Sequence, residues 1–425
     1  MGTILLKNIT VDGLQSDILV VGNRIDRTGP AGSCTAWPVA GEFEVLECSG
    51  KAALPGFINM HTHSGMSLMR GVGEDMPLEE WLQKIWKLEE GVCYPLVHDA
   101  VRLACVEMIK SGTTTFNDQY WLSEACHDAA VSMGMRPSMG YDLLDMCDPL
   151  TAARQKDECE EHYEKYSKLW KDDGSIYTLS FHAIYTVTEK MMLWASEFAR
   201  SHGIKLHIHL SETRTEVENC KKAHGGLTPV EYLAELGILG PEVLAAHTLW
   251  LTEHDVELLG RYRVNCIHNV NSNLKLASGH RFLCSELLQA GANVCLGTDS
   301  TASSNNLDMP EAMKTAALLQ KGWRLDTSAL PLQELLDMAT VNGAKALGID
   351  AGAIRPGALA DIAIIDTDHS WFVSPGPFLA NFIYAAHSEC IDSLICNGRF
   401  VMRRREIAAE EEVKAAARRT ISKYY

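Results

Sequence analysis

The chain has 425 residues, more than one hydrophobic core ordinarily supports, so a large domain with a smaller companion is expected. Apolar residues make up 46% and charged residues 22%, the balance of a globular protein, and a formal net charge of −17 argues against a nucleic-acid partner. No apolar stretch has the length of a membrane span, and the opening MGTILLKNITVDG is too short and punctuated for a signal peptide, so a cytoplasmic location is expected.

Residues 1–53 alternate short strand-like runs (TILLKNITV, SDILVVGNRI, FEVLECS) with Gly, Asp and Pro turns and show no helical pattern. From residue 55 to residue 352, strands and helices alternate. The strand candidates are LPGFINMH, TTTFNDQ, RPSMGYDLL, YTLSFHAIY, KLHIHLS, VLAAHTLWL, RVNCIHNV and NVCLGTD. Helical spacing lies between them, as in EEWLQKIWKLEE, VHDAVRLACVEMIKSG and LTPVEYLAELGI. Eight strands, each followed by a helix, predict an α/β fold of the (β/α)₈ TIM-barrel type. A doubly wound open sheet is the rival, but no GxGxxG follows the first strand, and P-loop and GxSxG signatures are also absent. After residue 352 the β pattern returns in RPGALADIAIID and CIDSLICNGRFVMRR, with an Asn397-Gly398 turn. Residues 1–54 and 353–425 therefore predict one small β-sandwich domain built from both chain ends. It closes on a helix, AAEEEVKAAARRTISKYY, whose acids come early and bases late. The basic run at residues 402–405 reads as a solvated strand end. Thirteen cysteines without CxxC spacing read as small buried hydrophobes in a reducing compartment.

The chemistry gathers at strand ends. His61 and His63 are two residues apart, and a strand sends such a pair to the same side. KLHIHLSE adds His207, His209 and Glu212, VLAAHTLWL adds His247, and ANVCLGTDS adds Asp299. In a parallel barrel the C-terminal ends of all strands converge on one face, so these groups are predicted to meet. Three imidazoles and a carboxylate, His61, His63, His209 and Asp299, suit one divalent ion with room for water, whose pKa would fall towards ~7. Glu212 and His247 remain at the rim as proton handlers. His207 shares a face with His209 and is an alternative ligand. His182 and His268 admit purely structural readings, and Trp81 and Trp86 fit the core side of one amphipathic helix.

The motifs PGFINMHTH, HIHLSE, AAHTLWL and LGTDSTASSNN together resemble the amidohydrolase superfamily. Within it they resemble the S-adenosylhomocysteine/5′-methylthioadenosine deaminase family, kin of triazine chlorohydrolases. RGVGEDMPLEEWL and SNLKLASG resemble the same branch. The resemblance implies zinc or iron held by His61, His63, His209 and Asp299, with Glu212 and His247 as proton shuttles and Asp299 assisting. It implies that His182 contacts the purine and that Glu89 binds the ribose. Family members that accept S-adenosylhomocysteine hold its carboxylate with arginines after strand three. Here GYDLLDMCD contains none, and Arg154 follows at a plausible distance. A homo-oligomer is implied as well.

The expected activity is hydrolytic deamination of an adenine-type nucleoside: 5′-methylthioadenosine, S-adenosylhomocysteine, adenosine or 5′-deoxyadenosine. The alternative is another aminated or chlorinated ring, such as guanine, cytosine or a triazine. A two-metal cyclic-amide hydrolase would need a lysine at the end of strand four, where SFHAIY has none. A non-catalytic scaffold would lack ligands, and all four positions are filled. Zinc, iron(II) and manganese(II) all suit this donor set.

Overall fold

The computed structural model describes residues 2–37, 43–76 and 78–424. Eight parallel strands follow one another in chain order around a barrel: Phe57–Thr62, Thr113–Asp118, Arg136–Met139, Ile176–Phe181, Lys205–Leu210, Val243–His247, Asn265–His268 and Asn293–Leu296. A two-residue strand, Asp142–Leu143, continues the third and pairs with Ile176–Phe181. Every residue of Phe57–Thr62 and Thr113–Asp118 is buried, because helices cover one face and the barrel interior the other. Such strands read as continuous apolar runs and not as alternating ones.

The ring closes without a regular ladder between its last and first strands. Thr298 donates its backbone N–H to Asn59 Oδ1 at 3.0 Å, and Asn59 Nδ2 donates to Thr298 Oγ1 at 2.7 Å. The Asp299 N–H then donates to the His61 carbonyl at 2.9 Å. Closure and site are built from the same residues.

Both chain ends form one mixed sheet of eight strands: Thr3–Val11, Leu14–Val21, Arg24–Pro30, Glu44–Glu47, Lys51–Pro55, Ile362–Asp366, Ile391–Cys396 and Arg399–Met402. Glu44–Glu47 and Lys51–Pro55 run parallel to Thr3–Val11, and the remaining pairs are antiparallel. Alternation sorts the side chains. Ala53, Ile362 and Ile364 join Leu6, Ile9 and Ile18 in a core private to this sheet, while Ala52, Leu54, Ala363 and Ile365 face the large core shared with the barrel. Arg136 crosses between the two units, its buried guanidinium paired with the buried carboxylate of Asp361. The closing helix, Glu410–Tyr424, lies against Tyr94–Lys110, where Thr420 donates to Asp99 at 2.6 Å.

One expectation needs correction. The apolar run at residues 54–60, read as one strand, is two. Lys51–Pro55 belongs to the end sheet and Phe57–Thr62 to the barrel. Gly56 makes the crossing, since a Cβ there would stand 2.4 Å from Thr114 Cγ2. All thirteen cysteines are free and ten are buried, which fits their reading as small hydrophobes. Among the described residues no helix is long and apolar enough to cross a membrane.

Candidate active site

His61 lies within the first barrel strand, fully buried, and His63 lies just past its end. His209 lies near the end of Lys205–Leu210, His247 ends Val243–His247, and Asp299 follows Asn293–Leu296. The structure brings all five together. Donor atoms of His61, His63 and Asp299 lie within 4.8 Å of one another, as do those of His61, His209 and His247. Asp299 Oδ1 is 3.4 Å from His63 Nε2 and 3.6 Å from His61 Nε2.

Hydrogen bonds determine which nitrogens are free. His63 Nδ1 donates to the Gln119 carbonyl at 2.6 Å and His209 Nδ1 to the His182 carbonyl at 2.8 Å, since a carbonyl can only accept. In the neutral rings both Nε2 atoms therefore carry lone pairs, yet they face each other at 3.2 Å. His61 Nε2, also buried, has no hydrogen-bond partner. Burial together with neighbouring imidazoles holds His61 and His209 well below the usual histidine range. Lone pairs converging with a carboxylate repel one another unless a cation sits among them, so the donor set fits a divalent metal.

His207, the alternative ligand, points elsewhere. Its Nε2 contacts His61 Nδ1 at 2.9 Å and its Nδ1 accepts from Asn117 at 2.9 Å, which places it behind His61. Asp299 is braced by Ser272, whose hydroxyl donates to Oδ2 at 2.6 Å, and by the Ser300 N–H at 2.8 Å. Ser211, His247 and Asp299 all adopt left-handed backbone, at φ 51°, 74° and 64°. Non-glycine residues there cost on the order of 1–3 kcal/mol each, and such strain gathers where surrounding structure dictates side-chain aim.

Glu212 follows His209 past the strand end and is buried. Its Oε2 is 3.7 Å from His247 Nε2, and Ser278 donates to Oε1 at 3.5 Å. Burial raises the Glu212 carboxyl, with His247 opposing and Asp299 reinforcing the shift. Burial works against the charged form of His247, but Glu212, Asp299 and Asn273 outweigh it and raise that imidazole. The two groups favour sharing a proton, as a shuttle requires. Glu216 holds this loop. Its two oxygens accept the N–H groups of Ser211 at 2.8 Å and Glu212 at 2.7 Å. Thr213 caps the following helix, Arg214–Ala223, by accepting the Glu216 N–H at 3.1 Å, while the Glu216 side chain turns back to the preceding loop.

These groups form one wall of a cavity enclosing about 710 Å³ of space, open solvent at its mouth included. Glu89 and His182 line it. His182 bonds Thr186 at 2.9 Å and is lowered to about 3 by burial. Trp121 Nε1 donates to Glu89 at 3.5 Å. Trp81, read as a core residue, is buried in a small apolar cluster with Met69, Ile85 and Ala302, and both it and Trp86 line the cavity, because their helix, Leu78–Glu89, lies over the barrel mouth. Arg154 is not brought there. It sits near the start of Pro149–Asp173, 62% exposed, paired with Glu158 one helical turn on. His268 is buried and stacked on Phe282 at 4.1 Å, away from the cavity wall. Asp142, Gln119 and Trp121 line the cavity but carry no motif that sequence reading could have used.

The profile of the amidohydrolase family matches residues 52–401. The chain belongs to the amidohydrolase family. It is 43% identical over 381 residues to a 5′-deoxyadenosine deaminase of Methanoregula boonei, covering 89% of this chain and 85% of the relative. It is 39% identical over 424 residues to a 5-methylthioadenosine/S-adenosylhomocysteine deaminase of Aquifex aeolicus, covering 98% and 96%. Among solved structures it resembles an adenosine deaminase of Xanthomonas campestris with bound zinc, at TM-score 0.91 and 28% identity, covering 99% and 98%. The zinc complex of atrazine chlorohydrolase from Arthrobacter aurescens shares the amidohydrolase fold at TM-score 0.90 and 22% identity, over 98% and 100%.

Proposed function

We propose that this amidohydrolase is a metal-dependent hydrolytic deaminase of adenine-type nucleosides, releasing ammonia and the inosine-type product. The observation that carries the reading is the meeting of His61, His63, His209 and Asp299 beside the Glu212–His247 pair, on the wall of one cavity. The names of the relatives agree with it.

His61, His63, His209 and Asp299 would hold one divalent ion, zinc by analogy with the Xanthomonas campestris protein. When bound, such an ion supplies the Lewis acidity that makes water nucleophilic near neutral pH. Glu212 takes a proton from the attacking water and delivers it to the ring nitrogen next to the amine-bearing carbon. His247, raised by the adjacent carboxylates, stabilises the negative charge that develops on the adding oxygen. Asp299, assisted by His247, then takes the remaining proton from the added hydroxyl and passes it to the amine, so that the carbonyl forms as the carbon–nitrogen bond breaks and ammonia leaves. Glu89 accepts hydrogen bonds from the ribose hydroxyls, and His182 and Trp86 pack the purine.

The test is a spectrophotometric deamination assay with parallel ammonia detection on adenosine, 5′-deoxyadenosine and 5′-methylthioadenosine. Turnover of at least one is expected. A metal-loaded enzyme inert towards every aminated purine would overturn the proposal.

A further inference from the structure

Four carboxylates line the cavity: Glu89, Asp142, Glu212 and Asp299. No lysine or arginine lines it among the described residues, and Arg154 is turned to solvent. A divalent ion would offset Asp299 and Glu212. Glu89 and Asp142 would remain, and Asp142 adds to the burial that raises the Glu89 carboxyl.

Asp142 is placed deliberately. The strand Arg136–Met139 ends early, and the chain re-pairs over Asp142–Leu143 beside Ile176–Phe181, which brings Asp142 to the barrel mouth. Gly140 lets the backbone press in, since a Cβ there would collide with the Thr178 carbonyl at 1.6 Å. Asp142 Oδ1 accepts from Gln119 Nε2 and from Ser180 Oγ, both at 2.8 Å. Burial raises the Asp142 carboxyl, while the two donors on one oxygen oppose that shift and fix the carboxylate plane. Neither donor is charged, so the negative charge is oriented but not cancelled.

Resting on the deaminase reading above, we propose that Asp142 is a specificity-determining residue that, with Glu89, makes the cavity refuse nucleosides carrying an anionic 5′ group and accept neutral or cationic ones. Like charge brought against a buried, uncompensated carboxylate costs several kcal/mol. A 5′-phosphate or a carboxylate-bearing tail meets that cost. A methylthio group, a bare methyl or an ammonium does not.

The experiment is steady-state kinetics on adenosines that share base and ribose and differ only at the 5′ position: 5′-deoxy and 5′-methylthio (neutral), 5′-amino (cationic), 5′-carboxylate and 5′-phosphate (anionic). The wild type is expected to favour the neutral compounds over the anionic ones by about 100-fold or more in kcat/KM. Asp142→Asn should narrow that gap about tenfold, through KM, and should lose preference for the 5′-amino compound. Asp142→Ser, which also lacks the charge, should behave the same way. Anionic substrates within a few-fold of neutral ones in the wild type would overturn the proposal. So would an unchanged gap in folded variants that still turn over 5′-deoxyadenosine. Thermal-shift binding of the same five compounds reads the charge preference without turnover. A preference for neutral ligands with no deamination would therefore sink the reaction while leaving Asp142's role standing.

Discussion

Gly297 lies against His61: a Cβ on it would stand 2.9 Å from both the Cβ and the backbone nitrogen of that histidine, and 2.4 Å from Asn269 Oδ1. Only hydrogen at this position lets the last barrel strand approach the first closely enough for Asp299 to share a site with His61 and His63. Gly297→Ala must push the strands apart or distort the His61 backbone. Overpacking of this kind costs about 1–3 kcal/mol, and a misplacement near 1 Å costs on the order of 100-fold in rate. A lowered melting temperature together with at least a tenfold loss in kcat/KM is expected. A variant with native melting and native kinetics would show that the contact yields freely.

Why the proposed metal ligands stand out in the sequence while much of the proposed substrate site does not follows from how each group is positioned. Ligands at the ends of parallel strands sit beside long apolar runs, and a polar residue closing such a run stands out, as Asp299 does after NVCLG. The i, i+2 spacing of His61 and His63 carries its own geometry. Asp142 had no such marker, because its position depends on a break in a strand and on Gly140, and GYDLLD reads as an ordinary turn. Trp81 and Trp86 keep helical core spacing because their helix covers the barrel mouth, where the cavity lining is itself apolar. Arg154 was chosen by distance along the chain alone, and a 25-residue helix carries it into an i, i+4 surface pair. The run at residues 54–60 hid a change of sheet because a buried parallel strand and an end-sheet strand are both apolar.

Glu212→Gln keeps the shape of the side chain and removes its ability to take and release a proton. Loss of about 10²–10⁴ in kcat is expected, the usual worth of a positioned general acid–base, with metal content unchanged. Atomic emission measured alongside kinetics separates the roles. A variant that loses its metal would make Glu212 a ligand, and one that keeps full kcat would remove it from proton transfer.

Glu216 gives a pH signature in stability. Burial is the main cause that pushes its carboxyl up to about 7, against the hydrogen bonds from Ser211 and Glu212. The folded state therefore holds the proton in a range where the unfolded chain, near 4.5, has released it. Its contribution to stability is fully present below pH ~4.5 and is lost as the pH rises through ~7. Glu216→Gln cannot titrate, so between those limits the wild type should fall relative to the variant by up to about 3 kcal/mol. Denaturant titrations at several pH values read the difference. Parallel curves for the two proteins would mean that the Glu216 proton is held alike in the folded and unfolded chains.

Arg154→Ala should leave every kinetic constant within about twofold, since an exposed i, i+4 pair is worth under ~1 kcal/mol and the side chain lies outside the cavity. A rise in KM for any substrate would bring Arg154 back to the site through a movement of its helix.

The most direct test of the account is a metal titration of the purified protein, wild type and His63→Ala, after chelation and stepwise return of zinc. The account predicts one tightly held equivalent in the wild type, deaminase activity rising in step with its return, and loss of both in the variant. Full activity of the chelated wild type, or undiminished zinc binding by His63→Ala, would contradict it.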